Sequence, residues 1–445
     1  MAIIRGNALQ VPLADSSVDL IISSPPYWAL RAYQDNGESL EGQLGSEETP
    51  QAFIDNLMLV MAECWRVLKP SGSCFINLGD KFSNSGGHNN SNLSGPSAKS
   101  TPQNPHYGRR MAADSGASRR NAPDRYNQNS GGIRTKSLMG LPWRFAIACI
   151  DAGWILRSEI IFSKLNSLPE SAVDRVRRSH EQIFHLTKQG RYFAALDEIR
   201  EVQMFSGGVR PLGQLHRERG GGEIPGVRGV GFQVDAPNPL GKLPGSVWQI
   251  PSEPLIIPDW AIEKYNLPSH FAKFCQEIPR RIILGWSPNG ICTVCGEGRR
   301  PVVVKDYVEM HQQSRNRSAR QDLHDDGFRA DGGMNGRNVS TIGRNEATIT
   351  GYSCACTPFT DHKFGASREY HLADWTPPPT RPAVILDPFV GTGTTVMVAE
   401  SLGRKGIGLD LSADYARLAR WRCEESGHGK KAEQRTWRER QGRLI

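Results

Sequence analysis

Nowhere does this 445-residue chain carry an apolar, uncharged run long enough to cross a bilayer. The best candidate, Phe145 to Leu156, is short and interrupted by Asp151. The first residues, Met1-Ala2-Ile3-Ile4-Arg5-Gly6-Asn7, lack a charged region followed by an apolar one. A secretory signal is therefore not expected, and a cytoplasmic protein without membrane contact is. Cysteine is scarce, and nine in a chain of this length do not make a disulfide framework. Cys64, Cys74, Cys149, Cys275 and Cys423 are scattered and read as small buried side chains. No internal repeat is found, which argues against a solenoid. Acidic residues are outnumbered, 46 against 54 Lys and Arg, giving a net charge of +8 and a pI near 9.0. That balance favours a polyanionic partner without establishing one. What remains, 38% hydrophobic and 22% charged residues, is ordinary for a globular protein and argues against wholesale disorder.

The ordered parts alternate between strand and helix patterns. Val18 to Ile22 is a short apolar run suited to a buried parallel strand, ended by Pro25 and Pro26. A helix is predicted from Pro50 to Leu68, with Phe53, Leu57, Val60, Met61 and Cys64 on one face. Lys69 to Gly72 reads as a turn into a strand over Ser73 to Leu78. Leu141 to Ile150 follows as a helix, then Trp154 to Phe162 and Gln182 to Thr187 as strands. Near the end, Ala383 to Leu386, Thr394 to Leu402 and Gly406 to Leu409 read as a strand–helix–strand unit, with a further helix from Ala413 to about Arg422. This rhythm is that of an α/β fold. Between Ser83 and Thr135, Asn, Ser, Gly and Pro dominate, and six arginines from Arg109 to Arg134 face only Asp114 and Asp124. The segment reads as a flexible basic loop, either a solvated linker or a contact for nucleic acid. Residues 200–245, rich in Gly, Pro and Arg, and the polar stretch from Met310 to Gly351 show little periodicity.

Asp387-Pro388-Phe389-Val390-Gly391-Thr392-Gly393-Thr394-Thr395 lies between a predicted strand and helix. Gly-rich turns at the carboxyl ends of parallel strands are where such sheets bind ligands. Gly391 and Gly393 allow close approach to the backbone, and the helix N-terminus favours a carboxylate. No lysine follows Gly393, so a phosphate-binding loop is set aside. Val396 stands where a dinucleotide site wants its third glycine. S-adenosylmethionine (AdoMet), which has no phosphate, fits a two-glycine loop led by an acid. Asp410, at the end of the next strand, is placed to accept hydrogen bonds from ribose hydroxyls. A purely structural turn is the plainer alternative.

Ser24-Pro25-Pro26-Tyr27 also ends a predicted strand. An exocyclic amine on a nucleobase is a poor nucleophile because its lone pair is delocalised into the ring. Two acceptors, the Ser24 hydroxyl and the Pro25 carbonyl, would hold its hydrogens and expose the lone pair for in-line transfer. The prolines stiffen the turn, and Tyr27 offers a ring on which a flipped-out base can stack. The plainer alternative is a proline-rich turn beside a core tyrosine.

A third constellation is Cys292-Thr293-Val294-Cys295-Gly296, a zinc-knuckle half-site, with Cys354-Ala355-Cys356 as the complementary pair. Four thiolates would close a structural tetrahedral zinc site; unpaired buried cysteines are the alternative.

With these residues in view, the chain resembles the amino-methylating DNA methyltransferases, site-specific enzymes acting on cytosine N4 or adenine N6. Their tetrapeptide is Asp/Asn/Ser-Pro-Pro-Tyr/Phe, and their AdoMet loop matches Asp387 to Thr395. The tetrapeptide precedes the cofactor loop, as in the permuted β-type order of that family. The resemblance implies that Gly6-Asn7 contacts adenosine, with Asn7 where Asp is commoner. It implies that His270-Phe271-Ala272-Lys273-Phe274 closes over the methionine end of AdoMet, with Cys275 where proline usually follows. Gly245-Ser246-Val247-Trp248 and His180-Glu181-Gln182-Ile183-Phe184 look like landmarks with mainly structural roles. Protein glutamine methyltransferases place the cofactor loop first, and cytosine-C5 enzymes need a Pro-Cys nucleophile, a dipeptide missing from this chain.

The resemblance implies a circularly permuted AdoMet-dependent α/β fold with a mostly parallel seven-stranded sheet. Residues 1–82 would form its catalytic half and 380–445 its AdoMet half, with 136–199 and 246–290 continuing the methyltransferase domain and the latter carrying the cofactor-closing helix. Residues 83–135 would be a basic insertion, 200–245 the target-recognition segment and 291–357 the zinc module. Double-stranded DNA is the implied substrate, and a restriction endonuclease the implied companion protein. Ser at the first tetrapeptide position favours cytosine N4 over adenine N6. An RNA base methyltransferase and a non-catalytic DNA-binding relative are the rivals.

Overall fold

Thr49 starts the first long helix. Its hydroxyl accepts the Ala52 amide at 3.1 Å, and Pro50 stands in the first turn, where its missing N–H is no loss. This helix, α1 (Pro50–Val67), buries Phe53, Leu57, Val60, Met61 and Cys64, the stripe read from the sequence. The computed structural model describes residues 1–28, 34–35, 38–39, 43–83, 132–167, 170, 172–201, 238, 240–268, 274–310, 342–361, 368–373 and 375–424.

The strands of four residues or more are, in chain order, β1 (Ala2–Arg5), β2 (Val18–Ser23), β3 (Leu68–Leu78), β4 (Ile155–Lys164), β5 (His180–Thr187) and β6 (Val247–Ile250). They continue with β7 (Arg300–Met310), β8 (Ile342–Ser353), β9 (Val384–Asp387) and β10 (Lys405–Asp410). After α1 come the helices α2 (Leu141–Asp151), α3 (Asp259–Tyr265), α4 (Glu277–Trp286), α5 (Thr394–Ser401) and α6 (Ala413–Glu424).

Eight strands form one sheet in the order β1-β10-β9-β2-β3-β5-β4-β6. Only β5 runs against its neighbours; every other pairing is parallel. The sheet thus has eight strands where seven were expected. Both its edges are four-residue strands, β1 and β6. In β6 the buried Trp248 donates its indole N–H to the Gly245 carbonyl at 3.0 Å.

The two ends of the chain meet in the middle of this sheet, where Ile385 and Leu386 of β9 pair with Leu20 and Ile21 of β2. Alternation along the strands divides the core between two faces. Ile21, Cys74 and Ile76 pack with α1 and α2, whereas Leu20, Ile22 and Phe75 pack with α4 and α5. Helices therefore cover both faces of a mostly parallel sheet, the α/β architecture expected.

The turn expected at Lys69–Gly72 is instead the start of β3, whose pairing with β2 is irregular between Val18 and Leu20. Gly72 lies so close to the Asp19 carbonyl that a Cβ would sit 2.8 Å from it, and Lys69 pairs with the Asp19 carboxylate. These contacts hold the segment in the sheet.

Of the basic insertion, residues 84–131 lie outside the described residues; its base is closed by backbone hydrogen bonds from Ser83 N to Ser137 O and from Lys136 N to Ser83 O, both 2.8 Å. Most of the 200–245 segment likewise lies outside them. Of the polar stretch from Met310 to Gly351, residues 311–341 lie outside the described residues; residues 342–351 belong to β8, which pairs antiparallel with β7 as a two-stranded ribbon. Of the scattered cysteines, Cys64, Cys74, Cys149 and Cys275 are buried and Cys423 is half-buried. Among the described residues no helix is long and apolar enough to cross a membrane.

Candidate active site

From β9 the chain crosses through α5 to β10 on one side; from β2 it crosses through α1 to β3 on the other. The connections therefore diverge between the carboxyl ends of β9 and β2. Such a switch point leaves a crevice in an open α/β sheet. Here it is a cavity of about 1090 Å³. The tetrapeptide follows β2, the glycine loop follows β9, Asp410 ends β10 and Asn7 lies just beyond β1. Four neighbouring parallel strands thus deliver four separate sequence signals to one opening.

The glycine loop is held from beneath and from its flanks. Asp387 is 4% exposed. Its Oδ1 accepts the Ser23 hydroxyl at 2.6 Å and the Phe389 amide at 3.1 Å. Burial pushes this carboxyl up to about 6, against the opposing pull of the Ser23 and Thr395 hydroxyls and the Phe389 amide. Gly391 has φ +47°, and the nearest atom to an added Cβ would be the Phe389 carbonyl oxygen, 3.9 Å away. It lines the cavity, so its missing side chain leaves room for a ligand. Gly393 serves differently: at φ +80° a Cβ would meet the Ala419 Cα at 3.0 Å, so this glycine lets α6 pack against the loop. Asp410 accepts Gly391 N–H at 3.0 Å and Ser412 N–H at 2.9 Å, fixing its carboxylate at the rim of the cavity. Arg422, fully buried in α6, reaches the Thr392 carbonyl and hydroxyl and the Thr394 hydroxyl. Burial lowers its guanidinium to about 10.

Around the tetrapeptide the polar groups form a connected chain. The Ser24 hydroxyl donates to the Tyr27 oxygen at 3.4 Å, and Tyr27 donates to Glu181 Oε2 at 2.8 Å. Asn77 Nδ2 donates to the Tyr27 oxygen at 3.0 Å and to Glu181 Oε2 at 2.9 Å. The Lys164 ammonium pairs with Glu181 Oε1. Gly79 lies flat against the tyrosine, where a Cβ would sit 2.8 Å from its Cε2. That face of the ring is closed.

Of the residues read from the sequence, Asn7, Ser24, Pro25, Pro26, Tyr27, Asp387, Phe389, Gly391, Thr394, Thr395 and Asp410 line the one cavity, and Gly393 stands behind its wall. Asn7 Oδ1 caps its own turn by accepting Leu9 N–H at 3.0 Å. His270 and Phe271 lie outside the described residues; Phe274 and Cys275, from the same motif, line the cavity. Sequence reading missed Asn77, Lys164 and Arg422, and it assigned Glu181 to a landmark with a structural role. Asn77 gave a faint signal, as a polar residue within the apolar run Cys74 to Leu78, whereas Glu181, between His180 and Gln182, gave none beyond its place in that landmark. Arg422 gave none, because only the packing of α6 under the loop gives it a task.

Cys292, Cys295, Cys354 and Cys356 converge, with all four sulfurs within 4.8 Å of one another. Cys292 Sγ and Cys356 Sγ are 3.9 Å apart. Sulfurs in a tetrahedral zinc site with bonds of about 2.3 Å are separated by about 3.8 Å, so the donor set fits that ion. Gly296, at φ +75°, permits the knuckle turn closed by its N–H to the Cys292 carbonyl at 3.0 Å. Hydrogen bonds from the Cys295 and Val294 amides lead the effects that hold the Cys292 thiol down at about 6. The long interval between the two cysteine pairs is the excursion of the β7–β8 ribbon, whose base returns Cys354 to Cys295.

A family profile described as DNA methylase (N6_N4_Mtase) matches residues 18–294 and 366–420, well over half of the chain. The type II methyltransferase M.Cfr9I of Citrobacter freundii is 36% identical over 208 residues, 46% of this chain and 60% of that protein. M.SmaI of Serratia marcescens is 35% identical over 201 residues, 45% of this chain and again 60% of its own length. The chain thus spans about 60% of each of these relatives. M.SfiI of Streptomyces fimbriatus is 26% identical over 417 residues, covering 91% of this chain and 86% of its own. Among solved structures, the PvuII DNA methyltransferase (cytosine-N4-specific) aligns with a TM-score of 0.45 at 13% identity, over 97% of this chain and 89% of that one.

Proposed function

Because the chain belongs to the N6/N4 DNA methylase family, we propose that it transfers a methyl group from AdoMet to the exocyclic amine of a base in DNA, cytosine N4 being the preferred target. One observation carries the proposal: the Ser24–Tyr27 turn and the Asp387–Thr395 loop, from opposite ends of the sequence, line a single cavity and are joined by the Ser23–Asp387 hydrogen bond.

AdoMet would supply a methyl group on a positively charged sulfur. As the amine nitrogen bonds to the methyl carbon, the S–CH3 bond breaks to leave S-adenosylhomocysteine, and the alkylated amine then loses one proton. Neither a metal nor a covalent enzyme intermediate is needed. Asp410, already oriented by two backbone amides, would accept ribose hydroxyls. Gly391 leaves the space for close approach, and the N-terminus of α5 favours a carboxylate. Ser24 and the Pro25 carbonyl would accept the two amine hydrogens and orient the nitrogen lone pair. Tyr27, with one face closed by Gly79, would stack the flipped base on its other face. In this reading Asn7, Phe389, Thr394 and Thr395 complete the cofactor wall, with His270 and Phe271 as its closing segment. Catalysis is positioning and electrostatics rather than acid–base chemistry at a strongly titrating group.

Double-stranded DNA is the proposed partner, held in part by the arginines of the basic insertion, and a cognate restriction endonuclease the proposed companion. The four clustered cysteines would hold one structural zinc ion at the base of the β7–β8 ribbon, away from the transfer chemistry. The preference for cytosine rests on serine at position 24, the residue that resemblance associates with N4 enzymes. Methylating duplex DNA with AdoMet, digesting it to nucleosides and identifying the product by mass spectrometry tests the function. N4-methylcytosine is expected. N6-methyladenine alone would transfer the assignment to adenine, and methylation of RNA alone would exclude DNA as the substrate. No methylated base on any nucleic acid would leave the non-catalytic relative.

A further inference from the structure

We infer that Glu181 is a positioning residue that sets the direction of the hydrogen-bond chain reaching Ser24, so that Ser24 presents lone pairs rather than its hydrogen to the substrate amine. The inference rests on the amino-methyltransferase reading and names a residue that acts through Tyr27.

A serine hydroxyl can donate or accept, and its rotation decides which it offers. Before transfer, a base amine offers hydrogens; its lone pair is drawn into the ring. A Ser24 hydrogen aimed into the cavity would therefore meet another donor and repel it. What prevents this lies two residues away in the chain of contacts. An ionised carboxylate accepts only, and a phenol has one hydrogen. Glu181 Oε2, 2.8 Å from the Tyr27 oxygen, takes that hydrogen. Asn77 Nδ2, donating to the phenol oxygen at 3.0 Å and to the same carboxylate oxygen at 2.9 Å, agrees with this arrangement, because as a donor it takes no hydrogen from the phenol. The phenol oxygen is left to accept from Ser24, which directs its own hydrogen there at 3.4 Å. The last link is long for a hydroxyl pair, so it biases the Ser24 rotor rather than locking it. Lys164 fixes the other end by pairing with Glu181 Oε1. The carboxylate is only 14% exposed, so water is a weak competitor for Tyr27.

Glu181→Gln reverses the direction while keeping the shape. Lys164 draws the amide oxygen, the new NH2 faces Tyr27, and the phenol hydrogen is released toward Ser24. The prediction is a fall in kcat of roughly tenfold, the effect of about one modest hydrogen bond, with the AdoMet Kd unchanged. In a Tyr27→Phe background the same substitution should have no further effect, because the link it acts through is gone. Wild-type kcat in Glu181→Gln, or an equal loss in both backgrounds, overturns the inference. Should Glu181→Gln fail to fold, Ser24→Ala with Tyr27→Phe reads the chain from its other end. The loss caused by Tyr27→Phe should then vanish when residue 24 is alanine, and an equal loss in both backgrounds overturns the inference. A wild-type protein that binds AdoMet but yields no methylated nucleoside would overturn the methyltransferase reading itself, and this inference with it.

Discussion

Asp387→Asn exchanges a buried carboxylate at the centre of the site for an amide of nearly the same shape. In the folded protein this carboxyl titrates at about 6 because burial penalises its charge, whereas its ordinary value is 3.8. Between those two values the folded state holds more protons than the unfolded state, so stability falls as pH rises through that window. Above it both states are ionised, and the charge costs the fold about 3 kcal/mol, at about 1.4 kcal/mol per pH unit. Asparagine does not ionise, and its oxygen can still accept from Ser23 and Phe389, which share one carboxylate oxygen in the native site. Urea denaturation of variant and wild type at several pH values checks the reasoning. The two should have similar stability at about pH 4, and at pH 7 and above the variant should be more stable by up to about 3 kcal/mol. Methyl transfer should fall at the same time, since a carboxylate lining the cavity favours a cationic ligand, an exchange of stability for function common at active sites. A variant less stable than wild type at pH 8, or a difference that does not change with pH, would refute the account.

Asp410→Ala should weaken AdoMet binding by about 1.5–3 kcal/mol, or roughly 10- to 150-fold, through loss of a charge-assisted hydrogen bond. Because Asp410 also anchors Gly391 and Ser412, the apo protein should lose thermal stability as well. Calorimetry reads the first effect and thermal unfolding the second; unchanged affinity would remove Asp410 from the cofactor site. Elemental analysis of freshly purified, reduced protein should find about one zinc per chain, four thiolates being a complete structural set. Cys292→Ser should lower that content and destabilise the ribbon base while AdoMet binding persists, and metal-free native protein would sink the assignment.

Short-range chemistry was legible without coordinates. The apolar run of β2, the stripe of α1 and the β9–α5–β10 unit follow from side-chain periodicity, and structure moved their ends by only a residue or two. The tetrapeptide and the glycine loop were legible because each needs unusual residue types in adjacent positions: paired prolines to stiffen a turn, glycines to adopt positive φ. Lys69 to Gly72 misled, because its turn-like composition is overridden by tertiary contacts to Asp19. The edge strand β6 was missed since four residues give too few positions to show a period. Local sequence also did not separate the tasks of Gly391 and Gly393. One faces the cavity and the other faces Ala419, a difference created by where α6 lands. The cysteine pairs were recognisable singly, but their convergence depends on the β7–β8 ribbon returning to its own base. Glu181, Asn77 and Lys164 acquire a role only when β5, β3 and β4 bring them to Tyr27, because hydrogen-bond direction belongs to groups distant in sequence. The sequence by itself determined the strongly periodic elements and the two chemical motifs, since those depend on neighbours along the chain. Tertiary structure alone decided which side chains orient them, since that depends on neighbours across the sheet.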